Sequence, residues 1–481
     1  MKLEGRLSKD NINPHLLDIE YAVRGPLLQR AEQIQRELDK GVKKPFTKVI
    51  YANVGDCHAL GQKPITFIRQ VLSLVSDPEC IASSAAPEDV KQRARELLAD
   101  CTSGSVGSYS PPAGLRIVRR RGAEYLRKRD GGVPADVDDI LLGAGATDLI
   151  RAVFQLINCP VDGKPPAVMV PVPQYPVFSG LLAELGVRRV DYQLSEDAGW
   201  ALDPRELRRS WLAHAGDHAL RAIVIINPGN PTGQVLSREN IEEVVRFAYE
   251  HGLLILADEV YQENIVCKPF HSFKKVMHEM GEPYASMDLC SLLTLSKGWS
   301  AECGLRAALA ELRVCRDVSA VLGRARAVAQ CPPVLGQCAL DCVLRPPAPS
   351  EPSYAQFSQE RSQIHRTLCA RAAAAHAAFN DIPGYSCNTI DGAMFAFPRV
   401  EIPARAQAAA ASLGHTPDEF YCLRLLEATG ICVVPGSGFG QAAGSFHFRT
   451  TILHERDTFH HMLREFRRFH LMFREEFADE E

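Results

Sequence analysis

The segment AIVIINPGNPTG, residues 222–233, decides the fold, because five apolar residues run directly into a turn that holds two prolines and two glycines. An apolar run of this length predicts a buried strand. The prolines fix φ and the glycines permit close approach of the backbone. Further apolar runs lie at 140–142, 167–172 and 253–257, with amphipathic stretches between them. This alternation predicts βαβ units, so we expect an α/β fold with a mostly parallel sheet sandwiched by helices.

A proline-rich stretch, RPPAPSEP at 345–352, follows this part of the chain. Proline can continue neither a helix nor a central strand, so the stretch predicts a domain boundary. We expect a large domain at 76–345 and a smaller α+β domain at 346–481, with 1–75 forming an N-terminal arm and part of the small domain. The small domain is predicted to hold a long helix and three short strands, at 361–379, 394–397, 431–434 and 447–453.

Composition excludes several classes of protein. Hydrophobic residues make up 46% of the 481 and charged residues 23%, which predicts a globular chain. The formal charge of −4 argues against a nucleic-acid partner, and no apolar stretch approaches the ~20 residues of a membrane span. Fifteen cysteines without a CxxC pair indicate reduced thiols. The first ten residues lack a signal-peptide core, so we predict a cytoplasmic location.

Chemically useful side chains follow the predicted strands. Lys297 lies in Thr294-Leu295-Ser296-Lys297-Gly298, and a lysine flanked by small hydroxyl residues could form a Schiff base with pyridoxal 5′-phosphate. Asp258 ends the run at 253–257, where its carboxylate could pair with the pyridinium nitrogen of that cofactor. Tyr261 and Asn230 could then donate hydrogen bonds to the ring oxygen O3′.

A glycine loop, Gly143 to Thr147, leads from a predicted strand into a helix expected to begin near Asp148. The N–H groups and the positive end of the helix suit a phosphate. Asp148 stands where the dinucleotide fingerprint needs a third glycine, which argues against a nicotinamide dehydrogenase. A second glycine cluster, 436–440, is interpreted as a turn. The pair His214 and His218 lacks the glutamate of a zinc helix, so no metal site is predicted.

Two further side chains suit an amino-acid substrate and a planar cofactor. Tyr175 follows the run at 167–172 and could stack on a ring. Arg449 ends a strand-like alternation, and its guanidinium could hold a carboxylate bidentately.

Together these residues resemble the class I/II (fold-type I) pyridoxal-phosphate-dependent aminotransferases. The order and rough spacing of seven residues match that family, namely Tyr175, Asn230, Asp258, Tyr261, Lys297, Arg306 and Arg449. Within the family, flanking segments are similar to the alanine aminotransferases, at 13–14, 21–26, 61–67, 346–354, 420–423 and 427–439.

The resemblance implies pyridoxal 5′-phosphate as cofactor and assigns roles around its ring. Lys297 would be the Schiff-base lysine and general acid/base, and Asp258 would pair with the ring nitrogen. Asn230 and Tyr261 would bond to O3′, and Tyr175 would stack on the ring.

The resemblance also implies a phosphate site, a substrate site and a homodimer. Four residues would hold the phosphate, namely Ala146, Thr147, Thr294 and Arg306. Tyr109 would reach the phosphate of the partner subunit, so the two active sites would be shared. Arg449 would bind the α-carboxylate of the substrate, with Gly55 and Asn230 close to it.

The implied reaction is transfer of the amino group of L-alanine to 2-oxoglutarate, giving pyruvate and L-glutamate in two ping-pong half-reactions. Two alternatives stay open, namely another donor and acceptor pair such as glutamate and glyoxylate, and a catalytically silent scaffold of the same fold. The sequence departs from the family at Cys57-His58, at Pro111-Pro112 and at Ala307-Ala308. None of these departures removes a catalytic side chain.

Overall fold

The structure, a computed structural model, describes residues 7–19 and 25–478. Residues 1–6, on which the targeting prediction partly depends, and 21–24 of the flanking segment 21–26 lie outside the described residues. The strands are β1 (Ile50–Tyr51), β2 (Ile140–Gly143), β3 (Pro166–Val172), β4 (Arg188–Ser195), β5 (Ala201–Leu202), β6 (Ala219–Ile226), β7 (Leu254–Asp258), β8 (Leu289–Thr294), β9 (Ala308–Arg313), β10 (Tyr385–Ser386), β11 (Phe395–Ala396), β12 (Arg399–Val400), β13 (Ile431–Cys432), β14 (Val434–Pro435) and β15 (Phe448–Thr451).

The helices are α1 (Pro26–Asp39), α2 (Thr66–Ser76), α3 (Glu88–Asp100), α4 (Arg116–Arg129), α5 (Ala146–Ile157), α6 (Val177–Glu184), α7 (Pro204–His214), α8 (Arg238–Glu250), α9 (Phe273–Met280), α10 (Arg316–Ala327), α11 (Val334–Leu344), α12 (Tyr354–Asn380), α13 (Ala404–Ser412), α14 (Pro417–Thr429) and α15 (Arg456–Glu476). Among these described helices, none is both long and apolar enough to cross a membrane.

A central sheet of eight strands has the order β2-β9-β8-β7-β6-β3-β4-β5. The pairs β8–β7, β7–β6, β6–β3 and β3–β4 are parallel, whereas β9 is antiparallel to both of its neighbours and β5 is antiparallel to β4. The predicted α/β class with a mostly parallel sheet is therefore confirmed. Because β9 alone reverses between β2 and β8, the carboxyl ends of β2, β3, β6, β7 and β8 all meet at one edge.

Alternate residues of the central strands pack on opposite faces of the sheet, as the two-residue repeat of a strand requires. Val224 and Leu256 face a layer formed with α5 and α6. Ile223 and Ile255 face a layer formed with α7, α8 and α9. Both faces are therefore covered by helices, which explains why these strands are continuous apolar runs in the sequence.

The start of α5 differs from the prediction, because the helix begins at Ala146 rather than near Asp148. The Asp148 carboxylate lies in the first turn, where it accepts a hydrogen bond from Ala144 N at 2.9 Å and pairs with Arg326. An acidic side chain is stabilised there by the positive end of the helix. Asp148 is thus part of the helix and does not precede it.

The C-terminal part of the chain contains short strands and long helices. The predicted helix at 361–379 lies within α12, and the predicted strands at 394–397 and 447–453 contain β11 and β15. The segment at 431–434 forms two strands, because β13 pairs with β1 whereas β14 pairs with β15. Residues 436–439 form a single helical turn, in line with the interpretation of that glycine cluster as a turn.

The domain boundaries at 75/76 and 345/346 stay a proposal, supported by two packing observations. The N-terminal strand β1 pairs with β13 of the C-terminal part. One hydrophobic cluster joins residues near β1 to α12, α14 and α15. Residues from both ends of the chain therefore pack together beside the central sheet.

Candidate functional site

The predicted chemical residues converge at the carboxyl edge of the central sheet. Asp258 is the last residue of β7, and Lys297 follows the end of β8 by three residues. Asn230 lies in the turn after β6, and Tyr175 in the turn after β3. Ligands of parallel sheets bind at this edge, so the topology alone brings four sequence-distant side chains to one place.

The amine of Lys297 is held by a backbone carbonyl and lies near an aromatic ring. Its Nζ donates to Gly55 O at 3.1 Å and lies 5.7 Å from the ring centroid of Tyr261. Burial lowers the pKa of Lys297, but the attraction of Tyr261 and Cys303 outweighs it, so the pKa is raised overall. Gly55 is required at this point, since a Cβ there would stand 2.7 Å from Phe395 Cζ.

Asp258 is a buried carboxyl that receives little stabilisation from hydrogen bonds. It is 5% exposed, and the hydrogen bond that its Oδ1 accepts from Val260 N is long, at 3.4 Å. The pKa of Asp258 is raised to about 7, chiefly by burial and to a smaller extent by Glu259. The hydrogen bond from Val260 N and the charge of Lys297 lower this pKa. A buried carboxylate in such surroundings is stabilised by a cation placed against it. The site therefore fits a group that carries a positive charge next to Asp258.

Asn230 connects Tyr261 to Arg449. Its Nδ2 donates to the Tyr261 hydroxyl at 3.4 Å, and its Oδ1 accepts from Arg449 Nη1 at 3.0 Å. Burial raises the pKa of Tyr261, so the phenol keeps its proton at neutral pH and can donate it in a hydrogen bond. The structure thus places the predicted ring contacts and the predicted carboxylate receptor side by side.

Arg449 is fixed in place before any substrate arrives. It is 2% exposed, and its Nη2 donates to Asn53 O at 2.5 Å. Its guanidinium lies between two aromatic rings, 4.1 Å from the centroid of Phe395 and 4.8 Å from that of Phe439. Such stacking stabilises a desolvated cation and restricts its rotation. Neither Phe395 nor Phe439 is predicted as a site residue from the sequence, although they lie in the predicted strand 394–397 and in the glycine cluster 436–440.

The glycine loop before α5 closes around a second arginine. Gly145 has φ +90°, and a Cβ there would collide with the guanidinium of Arg306. Arg306 Nη1 donates to Cys303 O at 2.9 Å and to Ser296 Oγ at 3.3 Å, and its Nη2 lies 3.5 Å from Ala144 O. The absence of a side chain at Gly145 therefore lets the guanidinium of Arg306 pack against this loop.

The start of α5 supplies N–H groups to the same place. No side chain of the described chain caps this helix, whose first residues are Ala146 and Thr147. An uncapped helix start beside a guanidinium fits an anion such as phosphate. The Thr294 hydroxyl bonds to Ala307 O and to Ser296 N, both at 3.2 Å, so Ser296 rather than Thr294 contacts Arg306. Thr294 stays a predicted phosphate ligand, and Ser296 joins it as a residue that the resemblance did not select.

The two remaining predicted tyrosines differ in exposure. Tyr175 is half-buried and near enough to Tyr261 to raise its pKa slightly, after the larger effect of burial. Tyr109 lies on the surface between α3 and α4 and is 73% exposed. Its predicted role across a dimer stays a prediction. Within residues 7–19 and 25–478, no group of three or more His, Cys, Asp or Glu side chains could hold a metal ion.

Comparison with known proteins gives a consistent result. Residues 76–466 match the family described as "Aminotransferase class I and II". A human protein named "Alanine aminotransferase 1" is 49% identical over 477 residues, which cover 98% of this chain and 96% of the relative. A Dictyostelium discoideum protein named "Probable alanine aminotransferase, mitochondrial" is 40% identical over 478 residues, covering 96% of this chain and 89% of the relative.

Solved structures show the same fold at lower identity. A Pyrococcus furiosus structure titled as an alanine aminotransferase has a TM-score of 0.75 and 23% identity, covering 96% of this chain and 100% of its own. A single mutant of Thermus thermophilus aspartate aminotransferase has a TM-score of 0.71 and 18% identity, covering 95% of this chain and 99% of its own. At these identities the likeness concerns the fold alone.

Proposed function

The chain belongs to the aminotransferase class I and II family, and we propose that it transfers the amino group of L-alanine to 2-oxoglutarate, with pyridoxal 5′-phosphate as cofactor. The observation that carries the proposal is the convergence of Lys297, Asp258 and Arg449 on one sheet edge, in a chain similar to alanine aminotransferases over nearly its whole length.

The residues present fit each part of this cofactor. The buried Asp258 carboxyl suits a protonated pyridine nitrogen, and the Tyr261 hydroxyl with the Asn230 amide suits the O3′ oxygen. The uncapped start of α5, Arg306 and Ser296 suit the phosphate. When bound, pyridoxal 5′-phosphate supplies an electron sink for the pair that is released as the substrate Cα–H bond breaks.

The chain's own residues transfer the substrate proton and stabilise the charge that develops during the reaction. Lys297 Nζ would accept the proton from the substrate Cα as a general base and, as a general acid, deliver it to the C4′ carbon of the cofactor; the acceptor half-reaction would run the same transfer in reverse. Gly55 O holds this amine near the reacting carbon through its 3.1 Å hydrogen bond. Asp258, as the anion, keeps the ring nitrogen protonated and stabilises the charge that develops in the ring.

Arg449 serves both half-reactions, because all four reactants carry a carboxylate next to the reacting carbon. Asn230 Oδ1 and Asn53 O each hold one of its nitrogens, so the orientation of the fork is set in advance. A pre-oriented arginine binds a carboxylate with less loss of side-chain entropy. The same side chain thus selects the α-carboxylate of the amino donor and of the oxo acceptor.

A substrate panel tests the proposal. Purified protein loaded with pyridoxal 5′-phosphate is assayed with alanine, glutamate or aspartate as donor, and 2-oxoglutarate, pyruvate or glyoxylate as acceptor. We expect the highest kcat/KM for alanine with 2-oxoglutarate and parallel double-reciprocal lines, as ping-pong kinetics require. A clear preference for glutamate with glyoxylate would replace the proposed pair. No transamination with any pair would indicate a silent scaffold.

We further propose a cytoplasmic homodimer. Fifteen free cysteines fit a reducing compartment, and Tyr109 is 73% exposed, which fits a side chain that reaches a partner subunit. The Dictyostelium relative is named as mitochondrial, so fractionation of cells that express the full chain is the direct test of location.

Arg449→Lys should lower kcat/KM for the amino donor and for the oxo acceptor to a similar extent. Lysine keeps the charge but loses the bidentate fork, so kcat/KM for alanine and for 2-oxoglutarate should each fall about 10- to 100-fold. Arg424→Lys is the matched control, because Arg424 also stacks on two phenylalanine rings but lies outside the site. A loss confined to one substrate would contradict the role of Arg449 in both half-reactions.

Mixing two inactive variants should restore activity if Tyr109 acts across the dimer. In a heterodimer of Tyr109→Ala with Arg449→Ala, one of the two sites then receives both native side chains. Random exchange of subunits in an equal mixture makes about half of the dimers heterodimers, each with one intact site. The mixture should therefore reach about a quarter of wild-type activity. The control mixture is Asp258→Ala with Arg449→Ala, whose lesions both lie in a subunit's own site, and it should stay inactive. Equal behaviour of the two mixtures, in subunits shown to exchange, would place Tyr109 in its own site.

A further inference from the structure

Two cysteines, Cys267 and Cys369, lie on neighbouring segments outside the site described above. All fifteen cysteines are free thiols. Cys369 lies half-buried on α12, and Cys267 is exposed on the segment that follows Tyr261. The Cys369 Sγ lies 4.0 Å from Val266 O, the carbonyl of the peptide bond that leads into Cys267. The Cys267 Sγ lies 3.7 Å from Ile390 O, and burial, Asp391 and, to a smaller extent, Cys369 raise the pKa of Cys267.

A histidine stands beside Cys369, one helical turn earlier on α12. The Sγ of Cys369 lies 3.7 Å from His365 Nε2 and 3.9 Å from His365 Nδ1. Nε2 also lies 2.9 Å from Ile265 O, so in the neutral ring Nε2 carries the hydrogen and Nδ1 carries the lone pair. Because the sulfur is nearly equidistant from the two nitrogens, a small rotation of the Cys369 side chain is needed before Nδ1 accepts the thiol proton. A nearby base is needed because burial raises the pKa of Cys369. Without such a base, little of this thiol would be present as the reactive thiolate.

We propose that Cys369 and Cys267 form an oxidation-sensitive pair that a hydroperoxide converts to a disulfide. The Cys369 proton moves to His365 Nδ1, and the thiolate attacks a peroxide oxygen, so that an S–O bond forms and the O–O bond breaks. The leaving hydroxide takes the proton from His365 as water. The Cys267 thiol then attacks the Cys369 sulfur, the S–S bond forms, and a second water leaves. Two thiols and one hydrogen peroxide thus give one disulfide and two waters.

The disulfide would act on a segment that is tied to the catalytic lysine. Val266 N and Cys267 N both bond to Asp391 O, at 2.8 and 3.3 Å. Earlier in the same segment, Asn264 Oδ1 accepts a hydrogen bond of 2.8 Å from Gly298 N, next to Lys297. A covalent link between Cys267 and α12 would therefore displace the segment 262–267, which follows Tyr261 and contains the residue bonded to Gly298 N. We expect turnover of the oxidised enzyme to fall about tenfold, because small misplacements of reacting groups are costly.

Peptide mapping of the native, cofactor-loaded enzyme tests the pair. The enzyme is treated with hydrogen peroxide near equimolar to protein, alkylated, digested without reductant and analysed by mass spectrometry. We expect one dominant cross-linked species that joins Cys267 to Cys369. Cys267→Ser and Cys369→Ser should each remove it, while Cys159→Ser, at an exposed thiol elsewhere, should not. His365→Asn keeps both thiols and should slow its formation.

The activity effect is read on the same samples. The fall in turnover should follow the cross-link over time, disappear in Cys267→Ser, and reverse with dithiothreitol. Thiols at 267 and 369 that stay reduced while exposed cysteines elsewhere oxidise would overturn the proposal, as would a dominant disulfide between other residues. A cross-link without loss of turnover would overturn its regulatory part. The turnover readout rests on the proposed transamination, whereas the peptide map is independent of which substrates the enzyme uses.

Discussion

Lys297→Ala should abolish transamination, with turnover falling by about 10⁴-fold or more. In the proposed reaction the amine at this position is both the covalent attachment point for the cofactor and the base for the substrate Cα proton, so one substitution would remove both functions. Its Nζ donates a hydrogen bond of 3.1 Å to the carbonyl of Gly55. Among the lysines at 7–19 and 25–478, no other follows the carboxyl end of a central strand so closely.

Borohydride trapping measures the attachment directly. Wild-type protein incubated with pyridoxal 5′-phosphate and reduced should carry the cofactor on the tryptic peptide that contains Lys297, and the visible absorbance should be lost on reduction. Lys297→Ala should show no such peptide. Lys63→Ala, at an exposed lysine on the loop after Gly55, is the control and should behave as wild type. Full turnover in Lys297→Ala, or trapping on another lysine, would show that the assignment is wrong.

Much of this site could be predicted from the sequence, because its framework follows the order of the strands. Once the runs ending at 226 and 257 are recognised as parallel neighbours, Asn230 and Asp258 must share one edge of the sheet, and β8 brings Lys297 to the same edge. That inference needs only local patterns and a general rule of topology. The seven residues of the family resemblance then predict which side chain meets which part of the cofactor.

The residues that escaped prediction are those whose surroundings come from distant parts of the chain. Phe395 and Phe439 enclose Arg449 because β11 and the turn after β14 pack beside β15, and nothing local to either phenylalanine indicates an arginine partner. The division of the segment 431–434 into β13 and β14 also depends on distant residues, since β13 pairs with β1 and β14 pairs with β15. Long-range packing decided these features, whereas hydrophobic periodicity decided the strands.

Asp258→Asn should separate cofactor attachment from catalysis. Asparagine is nearly isosteric with aspartate, so Lys297 can still be trapped by borohydride, but the anion that keeps the ring nitrogen protonated is gone. We expect turnover to fall about 10²- to 10³-fold, the usual loss when one pre-organised charge is removed from an active site. Asp197→Asn, at an exposed carboxyl, is the control. Unchanged turnover in Asp258→Asn would place the partner of the ring nitrogen elsewhere.

The same substitution should have the opposite effect on stability once the cofactor has been stripped. The pKa of an aspartate carboxyl is ordinarily 3.8, as in the unfolded chain, and that of Asp258 is about 7 in the folded chain. Between these two pH values the folded chain binds the proton more tightly than the unfolded chain. The free energy of unfolding then falls as the pH rises from about 4 to about 7. Asparagine does not titrate and avoids this loss.

We therefore expect the stripped Asp258→Asn protein to exceed wild type in Tm by a few degrees more at pH 8 than at pH 5. Asp197→Asn should show the same small Tm difference at both pH values. A Tm difference for Asp258→Asn that does not change with pH would mean that the folded chain holds this carboxyl ionised even in the absence of a cation. The expected pair of results, lower turnover with higher stability, is typical of a charge that the chain buries for its reaction and not for its fold.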